Sequence, residues 1–289
     1  MTTEQVVLSD VTLDCIVEGP SDGPLALLLH GFPDTRDTFR HLTPALVERG
    51  YRVVVPAMRG YAPSTPSSIN DYQVAALASD ALELEARYGG GGNSVLIGHD
   101  WGSIAAEMAL KAAPTRWRRA VMIAVPPAAL FASLFTNYGQ LRASWYMFFF
   151  QNPLADFVVT LDDMEFISRL WSDWSPGYDA LEDVDGVRRA LGDPEHMTAA
   201  LGYYRTTFGT LPTLDTHPEI IAAQSESPTV PTLYLHGSTD GCAPLAHIGD
   251  PLPYLAPGSR FEAIDGAGHF LQLEAPDKVN ALIAEWLAL

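Results

Sequence analysis

Seven short runs rich in β-branched and other apolar residues recur along the chain, at Val11–Val17, Leu25–Leu29, Tyr51–Pro56, Ser94–Ile97, Ala120–Val125, Thr232–Leu235 and Arg260–Ile264. Helix-patterned segments lie among them: Thr38–Arg49 ahead of Gly50, Tyr72–Tyr88 ahead of four glycines, Ser103–Ala113 ahead of Pro114, and Ala275–Leu289. Strand followed by helix, repeated, predicts an α/β fold with a mostly parallel sheet and helices on both faces. The alternation stops between about Ala128 and Pro228. Aromatic-rich helical stretches take over there, with Trp145, Tyr146, Phe148, Phe149, Phe150, Phe157, Phe166, Trp171 and Trp174. Residues 1–127 and 229–289 are therefore expected to form the core, and 128–228 an inserted helical cap whose aromatics mostly pack on one another, a few facing a pocket beneath.

Composition narrows the function. The chain has 289 residues, 47% of them apolar, enough for a large buried core. Its net charge of −18 would repel a phosphate backbone, so nucleic acid is not an expected partner. The start, MTTEQVVLSD, lacks a basic segment followed by an apolar one, and the longest apolar stretch, Ala120 to Phe135, is split by Pro126 and Pro127. A soluble protein without signal or membrane span is expected. Cys15 and Cys242 are too few for a disulfide framework and lack zinc-site spacing, which suits a reducing cytoplasm. The glycines Gly89–Gly92 lack the Gly-Lys-Ser/Thr ending of a phosphate loop and read as a turn.

The chemistry concentrates where runs end. Ser94–Ile97 leads into Gly98-His99-Asp100-Trp101-Gly102, and a helix follows from Ser103. A sharp strand–turn–helix elbow needs small residues two before and two after its apex, because the apical residue sits in strained backbone with neighbours pressed close. The apex here is Asp100, where most such elbows carry Ser. A carboxylate can attack an sp³ carbon and form an ester. The plainer reading, that Asp100 caps the helix, does not explain glycines at both offsets. Gly19-Pro20-Ser21-Asp22-Gly23 matches the serine form of the motif, but its turn chemistry makes Ser21 a hairpin residue.

Two further segments supply partners in the order nucleophile, acid, histidine. Thr232–Leu235 is followed by His236-Gly237-Ser238-Thr239-Asp240-Gly241, putting Asp240 at a strand's carboxyl end, where parallel sheets keep their sites. The last run is followed by Gly266-Ala267-Gly268-His269-Phe270, so His269 lies on a glycine-rich loop over the same edge. A lone histidine there would be read as a solvated loop residue; beside Asp100 and Asp240 it reads as a base. The other seven histidines read as structural, with His30 and His99 candidates for supporting the site. Leu25–Leu29 ends in His30-Gly31-Phe32-Pro33-Asp34, whose turn exposes the Phe32 amide; with the amide of Trp101 it would form an oxyanion hole.

These four segments resemble the α/β-hydrolase superfamily, and within it the epoxide hydrolases, over nearly the whole chain. Haloalkane dehalogenases share Asp-Trp at the elbow but typically carry Asn after His-Gly, where this chain has Phe32; fluoroacetate dehalogenases usually have Arg after the nucleophile, where it has Trp101. The resemblance implies an eight-stranded sheet and two cap tyrosines that hold the epoxide oxygen. The matching stretches are Tyr146-Met147-Phe148-Phe149-Phe150-Gln151-Asn152-Pro153 and Gly202-Tyr203-Tyr204-Arg205, which assign Tyr146 and Tyr204. Tyr203, about 100° away on a helix, should point elsewhere. The residue before Tyr204 is Tyr where the family often has Trp.

The implied reaction converts an apolar epoxide and water to a vicinal diol through an ester on Asp100, with no metal or organic cofactor. Phe32, Trp101, Phe149 and Phe150 are expected to touch the substrate. A dehalogenase using the same nucleophile is the alternative. A serine-type esterase lacks its Ser, and a noncatalytic binding protein on this fold would not need Asp100, Asp240 and His269 together. The sequence leaves a homodimer open.

Overall fold

The computed structural model describes residues 2–288. Eight strands form one sheet: β1 (Thr2–Val7), β2 (Thr12–Glu18), β3 (Leu25–Leu29), β4 (Arg52–Pro56), β5 (Ser94–His99), β6 (Trp117–Ile123), β7 (Thr232–Gly237) and β8 (Arg260–Ile264). Their order is β1-β2-β4-β3-β5-β6-β7-β8. β2 pairs antiparallel with β1 and β4, and the remaining pairs are parallel.

Helices cover both faces. α1 (Leu42–Val47) and, at the end of the chain, Pro276–Ala288 lie on one; α2 (Val74–Tyr88) and α3 (Trp101–Ala112) lie on the other. Alternation along the central strands feeds the two cores: Leu25, Leu27 and Leu29 of β3 join the α2/α3 side, while Ala26 and Leu28 join the opposite one. All five β3 residues are buried, as expected for a strand covered on both faces.

The segment between β6 and β7 is helical: α4 (Ala128–Leu134), α5 (Tyr138–Ala143), α6 (Trp145–Phe149), α7 (Ala155–Val158), α8 (Leu161–Trp174), α9 (Leu181–Leu191), α10 (Pro194–Thr207) and α11 (Pro218–Ala222). This segment reaches the carboxyl ends of β3 and β5, where Tyr204 of α10 meets Phe32 and Trp101. After β7 come α12 (Leu245–Ile248), α13 (Leu271–Glu274) and the closing helix α14 already described as Pro276–Ala288.

Three expectations change. β1 was not foreseen, because this edge strand is mostly exposed and carries polar Thr, Glu and Gln instead of an apolar run. The helix expected over Thr38–Arg49 is instead a 3₁₀ turn at Arg36–Phe39 followed by the shorter α1. Ser21 lies in a turn but not in a hairpin, since β4 stands between β2 and β3.

Candidate active site

The strand order reverses around β3 and β5, and the crevice outside their carboxyl ends is where open α/β sheets bind ligands. Asp100 follows β5 directly, with φ 51° and ψ −120°, and α3 starts at the next residue. Its side chain makes no capping hydrogen bond, which removes the helix-cap reading. A Cβ added at Gly98 would lie 2.3 Å from the Gly102 carbonyl oxygen, and one at Gly102 would lie 2.0 Å from that of Leu29. Both glycines are thus required by close backbone approach. Gly31 is required for a different reason: a Cβ there would sit 2.3 Å from Asp100 Oδ1.

The two carboxylate oxygens of Asp100 face different partners. Oδ1 accepts the Phe32 amide at 2.8 Å. Oδ2 lies 3.7 Å from His269 Nε2, across a gap too long for a direct hydrogen bond. Burial opposes the charge of Asp100, but His269, then His99 and the Phe32 amide, outweigh it and hold the carboxyl below its ordinary range. The turn carrying Phe32 is fixed by His30, whose Nδ1 donates to the Gly31 carbonyl while its Nε2 accepts from the Met58 amide, both at 3.0 Å.

His269 Nδ1 donates to Asp240 Oδ2 at 3.0 Å, with both side chains wholly buried. The other oxygen, Asp240 Oδ1, accepts the amides of Cys242 (2.7 Å) and Ala243 (2.9 Å). Burial works against a charged imidazole here, yet Asp240 and Asp100 override it and push His269 up to about 10. His99 Nε2 donates to the His269 carbonyl at 3.0 Å and anchors the loop. His236 supports the acid from below, donating through Nε2 to the Ala243 carbonyl (2.8 Å) and accepting from the Tyr234 hydroxyl (2.7 Å).

Tyr204 comes down from α10 so that its ring stands edge-on to Trp101 (4.9 Å between centroids) and Phe32 (5.3 Å). Its hydroxyl is buried and finds no hydrogen-bond partner among the described residues. Burial and the nearby Asp100 charge keep this phenol protonated. Tyr146, on α6, packs against Tyr204 at 5.8 Å, and its hydroxyl meets Cys242 Sγ at 3.3 Å. Tyr203 points away, donating to the Arg59 carbonyl at 2.7 Å. A cavity of about 400 Å³ begins at Asp100, Trp101 and Tyr204 and is otherwise lined mostly by apolar residues, with Glu107, Lys111, Gln140, Thr207 and Gln224 among them.

Asp100, Trp101, Tyr204, His269 and Asp240 are thus gathered at one point with the Phe32 amide. Phe149 and Phe150 are not in the cavity wall, contrary to expectation. Phe150 is fully buried against Phe32, Tyr146 and Tyr204, and Phe149 stacks on Phe166. The five-residue α6 turns Tyr146 inward and leaves Phe149, three positions on, packed within the insertion. Phe32 contributes its amide, and its ring packs behind the cavity.

Sequence reasoning missed Cys242, which lines the cavity two residues after the acid, and Trp174, whose ring lies 5.1 Å from His269. The spacing Asp240-Gly241-Cys242 was the available signal for the first. Asp240, Cys242 and His269 also present three ligand atoms within 4.8 Å of one another. Two of these residues, Asp240 and His269, are already hydrogen-bonded to each other through Oδ2 and Nδ1.

Residues 24–276 match the family model of the alpha/beta hydrolase fold. Epoxide hydrolase 3 of Xenopus tropicalis is 31% identical over 288 residues, covering 96% of this chain and 75% of that protein. The chain belongs to the epoxide hydrolase family of α/β-hydrolases. Epoxide hydrolase A of Mycobacterium tuberculosis, 29% identical, matches 99% of this chain and 97% of its own length. Among solved structures, an epoxide hydrolase from metagenomes of hot environments superposes with a TM-score of 0.81 at 28% identity, covering 99% of each chain. This family member is a hydrolase, and no helix among the described residues is long and apolar enough to cross a membrane.

Proposed function

We propose that the protein hydrolyses an apolar epoxide to a vicinal diol through a covalent ester on Asp100, with the helical insertion serving as a cap over the reaction. The observation that carries this reading is the pairing of a carboxylate at the elbow apex with the unpartnered, buried hydroxyl of Tyr204 in the same cavity wall. An acyl-transfer elbow needs no such phenol, whereas an opening epoxide needs a proton donor for its oxygen.

In the first step an Asp100 Oδ2 lone pair forms a bond to an epoxide carbon, and the breaking C–O bond leaves its electrons on oxygen. Tyr204, with Tyr146 behind it, donates to that oxygen. The oxygen takes its proton from Tyr204, and the phenolate is reprotonated by the proton His269 carries at rest, which leaves ester, hydroxyl, phenol and neutral imidazole. Esterification removes the Asp100 charge, one of the causes holding His269 protonated, so the imidazole becomes free to act as base. In the second step His269, oriented by Asp240, takes a proton from water, and the hydroxide attacks the ester carbonyl. The carbonyl oxygen is Oδ1, already seated on the Phe32 amide, and the Trp101 amide would complete the oxyanion hole. Collapse releases the diol and restores ionised Asp100 and protonated His269. No step calls for a metal or organic cofactor.

The test is a panel of styrene-type, aliphatic and cyclic epoxides assayed for diol beside haloalkanes assayed for halide. Diol formation, with His269→Gln trapping an adduct on the Asp100 peptide whose mass equals the epoxide, supports the reading. Halide release without diol, or turnover that survives Asp100→Ala, overturns it.

A further inference from the structure

We infer that the substrate is a neutral terminal epoxide bearing one extended apolar substituent; this rests on the reaction proposed above and adds the shape of the molecule that undergoes it. From Asp100 the cavity passes Met122, Val125, Cys242 and Ala243 and extends along α3. It follows α3, whose residues Trp101, Ile104, Met108 and Lys111 recur at helical spacing along its wall. At 1.5 Å rise per residue that wall is about 15 Å long. Phe131, Phe135 and Phe208 close it from the insertion.

Elsewhere around the site, elements pack closely. On the histidine side, the end of α8 docks backbone to backbone: a Cβ at Gly241 would lie 2.0 Å from the Asp173 carbonyl oxygen, and one at Gly268 would lie 2.6 Å from that of Trp174. Trp171 stacks flat on Phe270 with centroids 3.4 Å apart. Behind Phe32, α10 presses close, with Ala199 against Gly60 and Tyr72 against Gly202. A separate depression lined by His30, Tyr61 and Arg189 shares no wall residue with the Asp100 cavity. On that packing an epoxide carbon turned toward these sides carries hydrogens only, and the substituent leaves by the α3 arm, the one described space beside Asp100 wide enough to hold it.

The far end of that arm specifies the tail. Lys111 Nζ is paired with Glu107 at 2.9 Å and donates to the Gln224 carbonyl, while Glu107 accepts the Ala128 amide at 2.7 Å. With its cation already neutralised, this end offers nothing to an anionic tail, and the chain's net charge of −18 repels one.

The experiment uses the full-length protein and two isomeric epoxides of roughly ten carbons, one with the ring at the chain end and one cis at mid-chain. The terminal isomer should show kcat/KM about 100-fold higher, the consequence of roughly four methylenes losing their burial in the mid-chain isomer. Capping the terminal isomer with a carboxylate at its far end should lower kcat/KM at least about tenfold. In Met108→Trp, which narrows the arm, the ratio of kcat/KM for long over short terminal epoxides should fall by a similar factor. Equal or faster turnover of the mid-chain isomer, or of the carboxylate, overturns the inference while leaving the epoxide reaction standing. Failure of every epoxide tested would instead bring down the reaction itself.

Discussion

Two neighbouring tyrosines on α10 should respond in opposite ways to loss of one oxygen atom. Both are buried, but the Tyr203 hydroxyl donates to the Arg59 carbonyl whereas that of Tyr204 has no protein partner. In Tyr203→Phe the Arg59 carbonyl loses its donor, which costs about 1–3 kcal/mol. The melting temperature should fall by about 2–4 °C per kcal/mol for a chain of this size. In Tyr204→Phe no protein group loses a bond, so the melting temperature should hold or rise. Catalysis should follow the reverse order. A preorganised donor aimed at a developing oxyanion is worth about 100- to 1000-fold in rate, so Tyr204→Phe should slow ester formation by that factor, and Tyr203→Phe should leave it near wild type. Scanning calorimetry gives the first pair of numbers, and rapid-quench mass spectrometry of the Asp100 peptide gives the second. The reasoning is refuted if Tyr204→Phe melts as low as Tyr203→Phe, or opens the ring at the wild-type rate.

Three other outcomes follow from contacts already described. Gly102→Ala places a Cβ 2.0 Å from the Leu29 carbonyl oxygen and should destabilise the fold by about 3 kcal/mol or more, seen as a lower urea midpoint. Asp80→Ala strips Arg59, which is 1% exposed, of its closest carboxylate and leaves only Asp10 at 3.0 Å; urea unfolding should register a loss of about 3–5 kcal/mol. The folded-state value of His269, about 10, lies above its unfolded value near 6.5, so its stabilising contribution is complete below about pH 6.5 and disappears as pH rises through about 10. Wild-type stability should therefore decline over that window more steeply than that of His269→Gln; parallel curves would contradict the ion pairing.

The fold class was legible in the sequence, and so were the segments that the structure gathers around Asp100, for a physical reason. The elbow, the acid loop and the histidine loop carry short-range signals: Gly98 answers to the Gly102 backbone four residues on, so local spacing reveals the turn. The sheet core was legible for a related reason, since strands covered on both faces must be apolar throughout, as β3 and β5 are. β1 escaped because an exposed edge strand needs no apolar run. The hairpin assigned to Ser21 failed because strand order is a long-range property; nothing near Ser21 says that β4 will pass between β2 and β3. Phe149 and Phe150 were misassigned on the same ground. An aromatic in the insertion satisfies its burial equally well against Phe166 or above the cavity, and only the docking of α8 and α10 decides. Cys242 was weighed only as a disulfide or zinc candidate, because a small buried thiol looks like core until Tyr146 is found beside it.

The claim on which the reaction rests is that Asp100 bonds to carbon, and a single turnover in heavy-oxygen water, with enzyme in excess over epoxide, tests it directly. Covalent catalysis delivers an original Asp100 oxygen to the diol, so the first-turnover diol must be unlabelled and the peptide containing Asp100 must gain the heavy isotope. A labelled diol with an unlabelled peptide would mean that water attacks the epoxide itself and that Asp100 never becomes an ester.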